Sequence, residues 1–291
     1  MSNNEQLSLA FNKIEQGVEQ VRQSESYKKY LKVMSQFHDY SICNSLLIYS
    51  QCPHASYIAG YKAWKTLFNR YVIKGSKAIK IIAPFKIKVE KDVDTEDPND
   101  EDRYILRYKT VNVFDISQTE GQELPSIVSE IQGYHENAQF LLDAFQELAK
   151  EKSIQILFKD SKEDKRLCSG ANGYANPNKN KIVIKRDMSI NHQLKTMIHE
   201  YAHVLLHKST DSSKEQKEIE AESVAFVVCN SFGLDTSEYS FGYITSWSQG
   251  MKSEQFKKIL QDIQCKANEI IESVKPIYYK KMEENKNEEK Y

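Results

Sequence analysis

Apolar positions along this 291-residue chain recur with two periods, and the switch between them sets out the elements. Near the N-terminus Phe11, Ile14, Val18 and Val21 recur at three- and four-residue steps, and Tyr30, Leu31, Met34 and Phe37 do so again, predicting two amphipathic helices. Two β-branched runs, Ile79 to Val89 and Arg103 to Phe114, predict the strands of a long hairpin. Between them, Glu90 to Asp102 is acidic, contains Pro98 and is expected to be a solvated tip that keeps the strand edges soluble.

The helical period returns at Leu141, Leu142, Phe145 and Leu148, then gives way to strand-like Ile154 to Phe158 and Lys181 to Lys185. Turn formers fill the interval, in Gly170 to Tyr174 and Asn176 to Asn180. A small sheet here would offer an edge to an extended peptide. Three further helices are predicted. The first, over 193–207, carries Met197, Ile198, Ala202, Leu205 and Leu206, and the second, over 215–232, carries Val224, Ala225, Val227 and Val228. Ser212 with Glu215, or Ser213 with Gln216, would cap the second. The third follows Trp247, with Phe256, Ile259, Leu260, Ile263, Ala267 and Ile270. The charged stretch beyond Pro276 is expected to fray.

These elements describe an α+β chain of two domains, 1–118 and 135–275, with a Ser-, Gln-, Thr-, Gly- and Pro-containing linker over 119–134 and a charged flexible tail over 276–291. The first domain is α+β with the long hairpin; the second has a small sheet and active-site helices.

Charge adds little for the chain as a whole, which carries a formal net charge of −1. Its distribution says more. From Tyr61 to Lys88 every charged residue is basic. No stretch reaches the roughly twenty apolar residues that span a bilayer. The polar N-terminus and five cysteines without C-x-x-C spacing suit buried, reduced thiols in a cytoplasmic protein.

The sharpest chemical signal is His199-Glu200-Tyr201-Ala202-His203. Residues four apart share a helix face, so two imidazoles can close on one zinc ion with Glu200 beside it as general base. A third ligand is expected from the next helix, where Glu218 and Glu222 share a face and Glu220 points away as a solvated glutamate. One of the pair would bind zinc and the other would fix a ligand histidine; Glu218 as ligand is favoured, and the reverse stays open. Three ligands leave a position for water, which suits hydrolysis of a protein or peptide substrate. Tyr201 and Tyr243 are candidate donors to a developing oxyanion. Zinc is the default ion for this donor set, with manganese or another divalent ion as substitutes.

In the first domain, aromatics are interleaved with amides and lysines. Tyr40, Tyr61 and Trp64 could stack bases, Asn44 and Gln51 could bond their edges, and Lys65, Arg70, Lys74 and Lys77 could follow phosphates of single-stranded DNA.

The run Tyr40-Ser-x-x-Asn44-x-Leu46-Leu47-Ile48-x-x-Gln51-x-Pro53, with Gly60-Tyr61-x-x-Trp64, Arg70 to Ile79 and Phe114 to Gly121, resembles the N-terminal single-stranded-DNA-binding domain of ArdC-type antirestriction proteins. His199 to His203, Glu218 to Ala225 and Tyr239 to Trp247 resemble the zincin-like domain that follows it there, and more distantly the ImmA/IrrE metallopeptidases. The resemblance implies an antirestriction role for a mobile genetic element during conjugation. It also implies a carboxylate ligand at the position of Glu218 and a polar supporting group at that of Glu222. Two other functions fit the same residues: a non-catalytic DNA-binding protein with a structural zinc site, and a repressor-cleaving peptidase.

Overall fold

The computed structural model describes residues 2–88, 104–124, 136–208 and 212–288. The expected acidic tip over 90–102, most of the stretch 119–134 and residues 209–211 lie outside them. The chain mixes helices with small sheets in two compact units, as the α+β pattern implies.

The units are not contiguous in sequence. Helix α1 (Asn3–Val21) and helix α2 (Ser24–Gln36) part company, because Met1–Gln20 groups with Cys43–Glu123 while Val21–Ile42 groups with Leu124–Tyr291. The periodicity alone placed both helices in one stretch, 1–118. Helix α2 instead buries Tyr27, Tyr30, Leu31 and Met34 in the second unit, where the Tyr27 hydroxyl meets Ser223 Oγ at 2.7 Å. In α1 the buried stripe is Ala10, Ile14, Val18 and Val21, and Phe11 is 52% exposed. Phe11 lies one residue off that stripe, which turns it toward solvent.

The first unit continues with α3 (Ile42–Gln51), β1 (Ile58–Gly60), α4 (Tyr61–Phe68), β2 (Arg70–Val72), β3 (Ile79–Lys88), β4 (Tyr104–Asp115) and β5 (Thr119–Gly121). The predicted hairpin forms, with β3 and β4 antiparallel from Ile79↔Val113 to Lys88↔Tyr104. The strand order is β1-β4-β3, which leaves β3 at the edge, and β2 pairs separately with β5. The edge of β3 is occupied by side-chain amides of α3. Asn44 donates to Ile82 O at 2.9 Å and accepts from Ile82 N at 2.8 Å, and Gln51 does the same with Lys80 at 3.0 and 3.1 Å. Lys80 and Ile82 are alternate residues, so both present their backbone groups to the same side of the strand. Two amides thus stand in for a missing neighbour strand.

The second unit adds α5 (Glu136–Glu151), β6 (Gln155–Lys159), α6 (Lys165–Cys168), β7 (Gly173–Asn176), β8 (Lys181–Lys185), α7 (Ile190–Leu206), α8 (Lys214–Ser231), α9 (Ile244–Ser248) and α10 (Ser253–Glu288). Its sheet has the order β6-β8-β7, with β6 and β8 parallel and β7 antiparallel to β8. Strand β7, formed within the turn-rich interval, is an edge that runs beside α7. The approach is close: a Cβ on Gly173 would lie 2.7 Å from Thr196 Cγ2 and 2.9 Å from Val183 O, so only glycine fits. Ser189 caps α7 by accepting from His192 N, and Ser213, the second of the two expected pairs, caps α8 by accepting from Gln216 N.

Two expectations are corrected here. Helix α10 runs through Pro276 to Glu288, so this stretch is helical where fraying was expected. Tyr278 is buried against Phe232 with ring centroids 5.7 Å apart, and Lys281 reaches Glu147 at 2.7 Å, which holds the helix past the proline. Of the five free cysteines, Cys52 and Cys229 are buried, Cys43 is intermediate, and Cys168 and Cys265 are exposed. Among the described residues no helix is long and apolar enough to cross a membrane.

Candidate metal centre

Helix α7 carries His199 and His203 one turn apart, and α8 packs beside it with its glutamates. His199 Nε2 and His203 Nε2 lie 3.1 Å apart. Glu218 Oε2 faces both, at 3.5 and 3.7 Å. The donors of a tetrahedral zinc ion, with bonds of about 2.0–2.1 Å, are roughly 3.3 Å from one another. The three atoms therefore form a triangle of the right chemistry and size, and His199, His203 and Glu218 group together as a possible metal site among the described residues. Glu222 stands elsewhere, with Oε2 3.1 Å from the other nitrogen of His199, Nδ1. The two glutamates that share a face in sequence thus meet opposite nitrogens of one ring.

Electrostatics follow from this crowding. Burial draws the pKa of His199 down, but Glu218 and Glu222 outweigh it and push it up to about 10. Glu218 is driven far below the ordinary carboxylate range by the His199 and His203 imidazoles beside it. Glu200 is shifted upward by burial, an effect opposed by His199 and His203, and it accepts a hydrogen bond from the Ala175 N–H of β7. A buried carboxylate with a raised pKa beside two imidazoles suits proton transfer near neutral pH.

Open space lies on both sides of Glu200. One cleft, about 810 Å³, is bordered by Tyr174, Ala175, His203 and Glu218, and another, about 290 Å³, by Thr196, Glu222, Glu238 and Tyr239. Gly173, His199 and Glu200 border both, so the edge of β7 passes along the centre.

The remaining expected residues divide sharply. Tyr243, at the start of α9, is 43% exposed, and its hydroxyl pKa is raised by burial and by the charges of Glu222 and Glu218. Tyr201 is a core residue instead, packed edge-on against Phe145 at 6.0 Å. Sequence reading also passed over His207 and placed Glu220 in solvent. His207 Nδ1 lies 2.9 Å from His203 Nδ1, and His207 Nε2 lies 3.0 Å from Glu220 Oε2. Glu220 is only 8% exposed, which corrects its reading as a solvated glutamate. The signal available was the repeat itself, since His207 follows His203 at the same four-residue step as His203 follows His199.

Four of the expected DNA-contacting residues are engaged in structure. Trp64 is 0% exposed and donates its indole N–H to Phe114 O, so no base can stack on it. Asn44 and Gln51 are held on the edge of β3. Arg70 is bound to Thr119 through Nε and Nη2 and to Gln122 O through Nη1. Tyr40 groups with the second unit, its backbone oxygen accepting from Gln264. Tyr61, Lys65, Lys74 and Lys77 remain exposed in the first unit.

Comparison with known proteins assigns families to both regions. Residues 9–114 match the family model of the N-terminal domain of anti-restriction factor ArdC, and residues 149–231 match a peptidase-family model described as an IrrE N-terminal-like domain. The uncharacterized protein pXO2-81 of Bacillus anthracis is 31% identical, over 88% of this chain and 49% of its own length. The chain thus spans about half the length of that relative. The metal-free crystal structure of the antirestriction ArdC protein from plasmid R388 shares the fold, with a TM-score of 0.50 and 19% identity over 83% of this chain and 86% of that one. A manganese(II)-bound structure of the same protein aligns with a TM-score of 0.49, at 19% identity over 82% and 85% of the two chains.

Proposed function

The chain belongs to the ArdC-type antirestriction proteins, and from this premise we propose that its first domain holds single-stranded DNA while its second is a divalent-metal-dependent peptidase. The observation that carries the peptidase reading is the meeting of His199 Nε2, His203 Nε2 and Glu218 Oε2 beside the raised-pKa carboxylate of Glu200.

A zinc ion held by His199, His203 and Glu218 would supply Lewis acidity and make a water more acidic. The chain's own residues do the rest. Glu200 accepts the proton of the attacking water and returns it to the leaving amine, with Ala175 N–H holding the carboxylate in place. Glu222 accepts from His199 Nδ1 and orients that ring. Tyr243, near Glu222 and Glu218, donates its hydroxyl to the oxyanion that develops on the carbonyl. The edge of β7 aligns the substrate as an extended strand.

On the DNA side, the ArdC match over residues 9–114 supports the reading, and Tyr61, Lys65, Lys74 and Lys77 are the exposed residues suited to stack bases and follow phosphates. Tethering a peptidase to transferred DNA would raise its local concentration near bound proteins, a route to antirestriction during conjugation.

The test is Glu200→Gln. The variant should take up zinc and bind an oligonucleotide as the wild type does, yet cleave unfolded polypeptides at least ~100-fold more slowly. Undiminished proteolysis in that variant would sink the mechanism. A wild type that binds zinc and cleaves nothing would leave a DNA-binding protein with a structural metal.

A further inference from the structure

His207 and Glu220 belong to neither the donor triangle nor the general base, yet both are buried, His207 against His203 and Glu220 against His207. His207 is the C-cap of α7, and each of the two residues is 8% exposed. Glu220 is doubly engaged: Oε2 meets His207 Nε2 at 3.0 Å, and Oε1 accepts from Gln216 Nε2 at 2.7 Å. His207 has one nitrogen against His203 and the other against Glu220, and it stands outside the group of His199, His203 and Glu218.

For a neutral His207 the chain of contacts sets where the protons sit. A carboxylate only accepts, so His207 carries its proton on Nε2 and gives it to Glu220. Its Nδ1 then holds a lone pair. Facing it at 2.9 Å is His203 Nδ1, which must be the donor of that pair. A neutral imidazole has one N–H, so His203 Nε2 is left with its lone pair, on the side of Glu218 and His199.

We propose that His207 and Glu220 are positioning residues that lock His203 in the tautomer and ring orientation that present Nε2 to a divalent cation. The inference rests on the metal-centre reading and goes a step deeper. The two ligand histidines are held by different devices. On its far nitrogen His199 meets a carboxylate directly at Glu222, whereas His203 meets one at second hand, through His207. The relay also accounts for a buried carboxylate and a buried histidine that would otherwise be costly in the interior. Gln216, one turn before Glu220 on α8, satisfies the remaining carboxylate oxygen.

Two variants and one spectroscopic measurement on the full chain test this. His207→Leu removes the acceptor for His203 Nδ1–H, and zinc affinity by chelator competition should fall on the order of 10–100-fold. His207→Gln can offer an amide oxygen at the same place and should recover most of the loss. Imidazole nitrogen shifts should report His203 as the Nδ1–H tautomer in the wild type and as a mixture in His207→Leu. The proposal is overturned if folded His207→Leu binds zinc as tightly as wild type, if His207→Gln is no better than His207→Leu, or if His203 carries its proton on Nε2 in the metal-free wild type. A wild type that takes up no zinc defeats the metal-centre reading itself, and the nitrogen shifts of the metal-free protein then still decide the tautomer relay.

Discussion

Glu222 Oε2 approaches His199 at Nδ1, 3.1 Å away, while Glu218 Oε2 approaches the same ring at Nε2, 3.5 Å away. One imidazole thus separates two carboxylates that sit one helical turn apart on α8. The two positions are not equivalent, because only Nε2 of His199 also faces His203.

That difference is measurable. Glu218→Ala takes away a donor of the triangle and should abolish zinc uptake. Glu222→Ala leaves all three donors and frees only the orientation of His199, so its loss should stay within roughly 10–100-fold. Isothermal titration or chelator competition on both variants separates the roles, and equal losses would contradict them.

Protons and metal compete for the same site. In the metal-free protein His199 has a pKa raised from 6.5 to about 10. A raised histidine pKa contributes stability that is present in full below 6.5 and lost as pH rises through about 10. Metal binding has the opposite sign, because a ligand imidazole must be neutral. Zinc uptake near pH 7 should therefore release about one proton from His199 and strengthen with rising pH until about 10. Calorimetry in buffers of different ionisation enthalpy reads the proton directly. Zinc binding without proton release would contradict the shift.

Amide and lysine variants of the first unit should behave in unlike ways. Asn44→Ala strips both side-chain partners from the backbone N–H and C=O of half-buried Ile82, and each lost hydrogen bond costs about 0.5–1.5 kcal/mol. The effect should appear as a lowered denaturation midpoint. Lys74→Ala with Lys77→Ala should leave stability unchanged within about 0.5 kcal/mol, yet weaken oligonucleotide binding and flatten its salt dependence. If the lysine pair altered neither affinity nor salt slope, this surface would not be the DNA contact.

Much of the second unit was legible because its helices announce themselves twice, in an apolar period and in caps such as Ser213 with Gln216. The triangle of His199, His203 and Glu218 needed only the four-residue step and a neighbouring acidic helix. Helix spacing was silent on Glu220. Two residues from Glu218, it falls nearly opposite on the wheel, which reads as solvent if a helix has one buried face. Helix α8 has several, with Ile219, Ala221, Val224 and Phe226 all at 0% exposure, so its far side is interior as well. Asn44 and Gln51 were misread for a different reason. An amide that could bond a base edge bonds a strand edge equally well, and only the position of β3 decides between them. Likewise, nothing local to α2 reveals which unit will cover it.

The end of α10 offers the sharpest contrast between a frayed tail and a packed helix. Pro276 sits inside the helix, where it lacks the N–H that would bond the carbonyl four residues earlier. If the helix continues as observed, Pro276→Ala restores that bond and should raise stability, by up to ~3 kcal/mol. Tyr278 is buried against Phe232 two residues further on, so Tyr278→Ala should lower stability by about 3–5 kcal/mol, the range of large aromatic truncations. Lys281→Ala, losing an ion pair with Glu147 at a more exposed position, should cost less than about 1 kcal/mol. Urea unfolding of the three variants gives the pattern. A tail that frays after Pro276 would leave all three unchanged, whereas a packed helix moves the first two in opposite directions.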